Sequence, residues 1–315
     1  MGVLRLGAMC SVSSAQVLRE RLDAVTAAGV DCVQVTVPRT ISGQDWAELL
    51  GECKRRGVRV AALGCYANLA RPEHPGLHGT TVADVEIAFA ALAAQEGPIP
   101  RQVVVWSGTF GPDLLADDPR NGTMETWEAL VEVTARLARR GRELGCRLLL
   151  EPYSRHCLGT ARDYLLFLRS ALQAAGLPAD PARAPVGVVL DAPNLVGTDS
   201  LGQLDAHLRT DIGTLGAWAG LVHLKDIAPP ADGQGVPALP PPGAGVIDYP
   251  AYLHCLAAGV EGQVAAIAEH YHEADPAALA QVVAFLRSAG GGTDLAVGPG
   301  AASSGPPAPG RKPGP

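Results

Sequence analysis

Four aliphatic runs in the second half of the chain each stop on a residue able to bind a divalent cation. Leu148–Leu149–Leu150 ends on Glu151, and Val188–Val189–Leu190 ends on Asp191. Leu221–Val222 ends on His223, and Val264–Ala265–Ala266–Ile267–Ala268 ends on Glu269. A near-continuous aliphatic run marks a strand buried on both faces of a parallel sheet. An ionisable group closing such a run needs a reason, because these side chains are rarely buried without a partner. Pro152 has no amide hydrogen and cannot extend the strand, so Glu151 falls where strand becomes loop. Carboxylate oxygens and imidazole nitrogens suit hard or borderline divalent metals. Four such endings in succession suggest a site.

The rest of the chain repeats the same unit. Strands are expected at Leu4–Cys10, Asp31–Val37, Val58–Gly64 and Gln102–Ser107, ahead of the four runs above. Helix-like segments separate them. Ser13 or Ser14 can cap the first, in which Leu18, Leu22 and Val25 keep helical spacing and Gly29 closes the turn. Others fall at 45–56, 81–94, 124–144, 162–174, 201–208, 249–257 and 276–288, and the long 124–144 segment carries Trp127, Leu130, Val131, Leu137 and Leu144 as an apolar stripe. Eight β–α units without a lasting change of period point to an α/β fold, a (β/α)8 TIM barrel, rather than a doubly wound open sheet. A closed sheet also brings the polar strand ends to one mouth. Residues 1–289 are assigned to this single domain. Residues 290–315, rich in Gly and Pro, cannot pack a core and are expected to form a disordered tail. The Pro- and Gly-rich stretch 228–242 is expected to be a surface insertion, with an active-site lid as the alternative.

Side chains alternate across a strand. With Glu151 in the barrel mouth, Leu149 lies beneath it while Leu148 and Leu150 face the helices. Val189 likewise lies beneath Asp191 and Ile267 beneath Glu269, and Lys225 shares a face with His223. All the polar residues sit at C-terminal strand ends, where barrel active sites are built.

Composition narrows the partners. The net charge of −7 gives no electrostatic reason to expect nucleic acid or an anionic membrane. The seven cysteines are scattered, odd in number and lack Cys-x-x-Cys spacing, as expected of reduced thiols in a cytoplasmic protein. The N-terminal apolar stretch is short for a signal peptide, and no apolar run approaches the length of a membrane span.

The segments EPYSRH, VVLDAPNL, VHLKDI and AIAEHYHE resemble the fifth to eighth strand ends of the sugar phosphate isomerase/epimerase family, the xylose isomerase-like barrels. AALGCYANLARPE is similar to that family's third strand and loop. The likeness spans roughly residues 3–289. It implies that Glu151, Asp191, His223 and Glu269 hold one divalent metal, Mn²⁺ first, with Co²⁺, Mg²⁺ or Zn²⁺ as alternatives. It also implies that Glu151 and Glu269 move protons on a polyhydroxy carbonyl substrate. A cation on the substrate oxygens stabilises the enediolate left by proton removal, and two carboxylates can take a proton from one face and return it to the other.

Three further residues are candidates for substrate contact. Asn194 stands where related ketose epimerases often carry His, and either touches substrate or caps a loop. Lys225 binds a substrate oxygen or an anion, or pairs with Asp226. Trp106 is a platform for a sugar face or barrel packing. Gln34 departs from the Glu common in the family, so the family's substrate contacts on that side do not transfer. His270 and His272 read as loop polar groups. The leading function is therefore a metal-dependent sugar, keto-polyol or inosose epimerase or isomerase, with a metal-dependent lyase or dehydratase as the alternative. Abasic-site endonucleases share the barrel, but resemble clusters with several His, three metals and a basic groove. A non-catalytic sugar-binding subunit is disfavoured by the complete ligand set. Relatives are often dimers or tetramers, which leaves a homo-oligomer open.

Overall fold

Each aliphatic run becomes a parallel strand, and the strands pair in sequence order until the sheet closes. In the computed structural model, which describes residues 2–37, 41–76, 79–96, 100–113, 116–230, 236–291 and 295–296, the first half comprises β1 (Val3–Ser11), α1 (Ala15–Ala27), β2 (Cys32–Thr36), α2 (Gly43–Arg55), β3 (Arg59–Asn68), α3 (Val82–Ala93) and β4 (Gln102–Trp106). The second half comprises α4 (Met124–Leu144), β5 (Arg147–Glu151), α5 (Ala161–Ala175), β6 (Val186–Leu190), α6 (Leu204–Leu215), β7 (Ala219–Leu224), α7 (Tyr249–Gly259), β8 (Gln263–Ala268) and α8 (Pro276–Ala289). Strands β2 to β8 pair in order, and β1 closes the ring by pairing with both β8 and β2. The result is a single-domain (β/α)8 barrel, as the alternating pattern predicts. Among the described residues no helix is long and apolar enough to cross a membrane.

The two-residue period sorts the core into two layers. Leu149, Val189, Leu221 and Ile267 fill the barrel interior together with Val104, Cys32 and Ala62. Leu148, Leu150, Val188, Leu190, Val222 and Leu224 face outward into the larger cluster shared with the helices. The interior is tight enough that glycine is needed where large neighbours meet. A Cβ on Gly220 would lie 2.6 Å from Leu149 Cδ2 and 2.3 Å from Gln102 Oε1. Gln102 itself closes the interior below the apolar layer, donating to the carbonyls of Ala61 and Gly220, each at 3.1 Å.

Local signals set most helix ends. Ser14 accepts from the amide of Val17 and starts α1, and Gly29 follows in the left-handed region at φ 72°. The structure departs from expectation in three places. Strand β3 runs on to Asn68, past the expected end at Gly64, with its pairing to β4 shifting between Gly64 and Asn68 and Tyr66 at φ 48°. Helix α6 begins at Leu204 after a 3-10 stretch, Thr198–Gln203, rather than at 201. Its apolar stripe continues through Ile212 and Leu215, which carries it past Leu208. The third departure is in the tail. Leu295–Ala296 form β9 beside Leu4 and Arg5 of β1, so the segment from Gly290 is not wholly without structure. Leu295 covers Gly290, where an added Cβ would lie 2.1 Å from Leu295 Cδ1. Residues 292–294 and 297–315 of the expected disordered tail lie outside the described residues.

Residues 231–235 of the 228–242 insertion also lie outside the described residues. The base of that insertion is pinned. Asp226 accepts from the amides of Ile227 at 2.8 Å, Gly243 at 3.0 Å and Ile247 at 3.0 Å, while Ala228 and Ala238 form an antiparallel bridge.

Candidate metal centre and active site

The four strand ends meet at the C-terminal mouth of the barrel. His223 is fully buried, and its Nδ1 lies 3.4 Å from Glu151 Oε2, 3.5 Å from Asp191 Oδ2 and 3.4 Å from Glu269 Oε2. The geometry follows from register. Trp106 pairs with Glu151 across β4 and β5, and His223 pairs with Ile267 across β7 and β8, so the next inward position, just past the end of β8, is Glu269. Tyr164 of α5 donates its hydroxyl hydrogen to the carbonyl of Glu151 at 3.2 Å and steadies that strand end from behind.

Lys225 occupies the same cluster. Its Nζ lies 2.7 Å from Asp191 Oδ2 and 2.5 Å from Glu269 Oε1. It therefore pairs with the buried carboxylates and not with Asp226, which is engaged by the loop amides. Asn194 Nδ2 donates to Asp191 Oδ2 at 2.7 Å and to Glu151 Oε1 at 3.3 Å, tying two of the carboxylates together. Its backbone also caps the turn after β6, with its amide reaching the carbonyl of Asp191 at 3.2 Å.

Crowding like charges in a dry site separates their proton affinities. Burial pushes the Glu151 carboxyl up to about 7; Glu269 and Asp191 push the same way, against the opposing pull of His223 and Lys225. Burial also acts to raise Glu269, but Lys225 and His223 outweigh it and hold that carboxyl at about 2. For His223 burial disfavours the imidazolium, yet Glu269 and Glu151 prevail and lift it to about 9. Burial likewise opposes the Lys225 ammonium, and Asp191 and Glu269 hold it well above the ordinary lysine range.

Trp106 stands beside the cluster, 8% exposed, its ring 5.3 Å from that of Tyr66 and 5.0 Å from that of His156. Tyr153 extends this aromatic wall, 5.1 Å from His156. Tyr66, Tyr153 and His156 were not singled out by the sequence reading. The aromatic pair in EPYSRH follows directly on a strand ending in Glu151, and that position in the chain was the available signal. Tyr66 gave less, because its place depends on the irregular end of β3. His270 and His272 are exposed, as expected of loop groups, and His270 Nδ1 bonds the carbonyl of Leu239.

The donor set fits a divalent cation. Glu151, Asp191 and His223 each offer a ligand atom, all within 4.8 Å of one another. Three buried atoms, Glu151 Oε2, Asp191 Oδ1 and His223 Nδ1, make no hydrogen bond; Glu151 Oε2 and His223 Nδ1 only face each other at 3.4 Å, and burying such atoms is costly unless something else satisfies them. Glu269 lies outside that compact trio. One of its oxygens nevertheless reaches His223 Nδ1, and Lys225 holds the other.

A parallel eight-stranded barrel with ionisable groups gathered at its C-terminal mouth defines a class, the enzyme-type TIM barrels with a carboxylate–histidine centre. Residues 22–289 match the family model described as xylose isomerase-like TIM barrel, and the chain belongs to that family. No curated protein matches the sequence significantly. Among solved structures, an L-ribulose 3-epimerase aligns at 17% identity and TM-score 0.62, covering 91% of this chain and 95% of its own. A D-allulose 3-epimerase from Methylomonas sp. in complex with D-allulose aligns at 15% identity and TM-score 0.61, covering 91% and 98%. A xylose isomerase-like TIM barrel protein from Mycobacterium smegmatis in complex with magnesium aligns at 16% identity and TM-score 0.59, covering 92% and 98%. At these identities the likeness establishes the fold.

Proposed function

We propose that this protein is a divalent-metal-dependent epimerase or isomerase acting on a sugar, keto-polyol or inosose. The observation that carries the reading is the pair Glu151 and Glu269. Both lie 3.4 Å from the same imidazole nitrogen, and in the metal-free protein their surroundings push their proton affinities apart. Two carboxyl groups separated in this way are suited to opposite roles in proton transfer. Glu269, ionised and oriented by Lys225, takes the proton from the carbon next to a carbonyl. Glu151, the other carboxyl of the pair, returns one. The roles exchange for the reverse reaction.

Glu151, Asp191 and His223, with Glu269 beside them, would hold the cation. Such an ion supplies Lewis acidity toward the substrate's carbonyl and neighbouring hydroxyl oxygens. Oxygen-rich ligation with a single imidazole suits Mn²⁺ and accommodates Co²⁺, Mg²⁺ or Zn²⁺. A magnesium-bound structural relative supports the same assignment. Lys225 and Asn194 orient the carboxylates and offer polar contacts to substrate, and Trp106 offers a flat apolar one. The substrate class draws support from the relatives named as L-ribulose and D-allulose epimerases. The seven cysteines, scattered and without Cys-x-x-Cys spacing, favour a cytoplasmic location.

The test is proton NMR of the Mn²⁺-supplemented full chain with a panel of ketoses and keto-inositols in D₂O, product being read after the metal is removed. Deuterium at the carbon next to the carbonyl, with an altered stereocentre or a shifted carbonyl, is the expected result. Glu151→Gln and Glu269→Gln should each slow the exchange by about 10²–10⁴-fold. A new unsaturated product would assign the lyase reaction instead. Exchange that persists unchanged in both variants would overturn the assignment.

A further inference from the structure

His223 has two ring nitrogens, and they face different surroundings. Nδ1 points into the carboxylates, while Nε2 lies 2.9 Å from Oε1 of Gln34, which reaches it from β2, three strands round the barrel. A carboxamide oxygen can only accept a hydrogen bond. The proton of a neutral His223 is thereby drawn to Nε2, and the lone pair is left on Nδ1, aimed at the site. Without that acceptor the proton would favour Nδ1, where the carboxylates attract it and where it would obstruct a cation.

Gln34 is held for this task. Its own Nε2 donates to the Tyr66 hydroxyl at 2.9 Å, with Thr36 Oγ1 at 3.5 Å, and Gln34 and His223 are fully buried. Tyr66 reaches the amide from a backbone at φ 48°, a conformation that costs a non-glycine residue energy and that other contacts must enforce. Gly64 keeps the space open, since a Cβ there would lie 2.3 Å from Thr36 Oγ1, 2.9 Å from Tyr66 Cε2 and 3.1 Å from Gln34 Nε2.

Building on the cation site proposed above, we infer that Gln34 is a positioning residue that fixes the Nε2–H tautomer of His223, so that Nδ1 is presented as a metal ligand. Tyr66 and Gly64 support it by fixing the orientation of the amide. Partners behind a ligating histidine commonly change its affinity for metal by about 10–100-fold.

Zn²⁺ titration calorimetry of the full-length wild type, Gln34→Leu, Gln34→Glu and Tyr66→Phe tests the assignment. Gln34→Leu should bind Zn²⁺ about 10–100-fold more weakly, whereas Gln34→Glu, which keeps an acceptor, should stay within about threefold of wild type. Tyr66→Phe, the milder change should Gln34→Leu fold poorly, should weaken binding in the same direction. In zinc-loaded, ¹⁵N-histidine-labelled protein, a slowly exchanging Nε2 proton should appear for wild type and Gln34→Glu and disappear for Gln34→Leu. If Gln34 merely filled space, the order would reverse, with Leu tolerated and the buried Glu harmful; that order overturns the inference. A wild type that takes up no Zn²⁺ would remove the cation site itself, a failure visible before any variant is compared.

Discussion

Replacing Lys225 by Met tests how charge is balanced in the buried cluster. Three carboxylates, Glu151, Asp191 and Glu269, face two cations, Lys225 and the His223 imidazolium, so the ionised cluster carries one uncompensated negative charge. A bound divalent ion, displacing the Nδ1 proton of His223, brings that balance to zero. Met has nearly the same shape as Lys but leaves Asp191 and Glu269 without their ammonium partner. Removing one member of a buried ion pair costs about 3–5 kcal/mol. A chain of this size has an unfolding entropy of about 0.6 kcal/mol/K, so the metal-free variant should melt roughly 5–8 °C below wild type. Free Co²⁺ at a hundred times its dissociation constant should stabilise the wild type by about 2.7 kcal/mol, or roughly 4–5 °C. At the same free Co²⁺, Lys225→Met should rise further than wild type, because the ion then supplies positive charge that the variant lacks. Scanning calorimetry with and without Co²⁺ measures both effects. A metal-free variant that melts with the wild type, or one that gains less from Co²⁺, would refute this charge balance.

Three other outcomes follow from the same geometry. His223 is raised to about 9 in the fold, so its stabilising contribution is complete below its ordinary value of 6.5 and is lost as pH rises through 9. Glu151, raised to about 7, contributes below 4.5 and loses that contribution as pH rises through 7. Metal-free protein should therefore melt progressively lower from pH 6.5 to 9; saturating metal should flatten the trend because it replaces the Nδ1 proton, and its apparent affinity should rise with pH. Asp226→Ala removes the acceptor of three loop amides and should cost about 3 kcal/mol in urea unfolding, with faster proteolysis near the 228–242 insertion. Asp211 of α6 is buried beside His207 at 3.3 Å, and burial pushes its carboxyl up to about 6. Its folded value lies above the ordinary 3.8, so its contribution is lost as pH rises through 6. Asp211→Asn should then gain about 2–3 kcal/mol over wild type at pH 7.5 and nothing at pH 3.5, measured by thermal melts at both values.

The strand parity visible in the sequence carries most of the site. Once Glu151 is set inward, Leu149 beneath it and the matching pairs on β6 and β8 follow from alternation alone, and Lys225 follows from His223. Each aliphatic run is then long enough to be a strand and too uniform to be a half-exposed one. What alternation leaves undetermined is which inward groups touch across the barrel. Lys225 could have paired with its neighbour Asp226, and only the fold shows that loop amides claim Asp226 while Asp191 and Glu269 claim Lys225. Gln34 was legible only as a departure from the family; its bond to His223 joins residues 189 positions apart. Tyr66 was hidden by an irregular strand end whose left-handed backbone no local propensity favours. Asn194, balanced in the sequence between capping and substrate contact, places its side chain across two carboxylates. Helix α6 was misplaced because its stripe, Leu204, Leu208, Ile212 and Leu215, is interrupted by Gly213 and two Thr residues that weaken the local signal.

The most direct measurement is anomalous diffraction at the cobalt edge from crystals of the full chain soaked in CoCl₂. One strong peak is expected at the barrel mouth, about 2.0–2.3 Å from His223 Nδ1 and from oxygens of Glu151 and Asp191, with Glu269 turned toward the ion. Crystals that show no peak there, with Lys225 still bridging Asp191 and Glu269 at saturating cobalt, would contradict a metal centre in this protein.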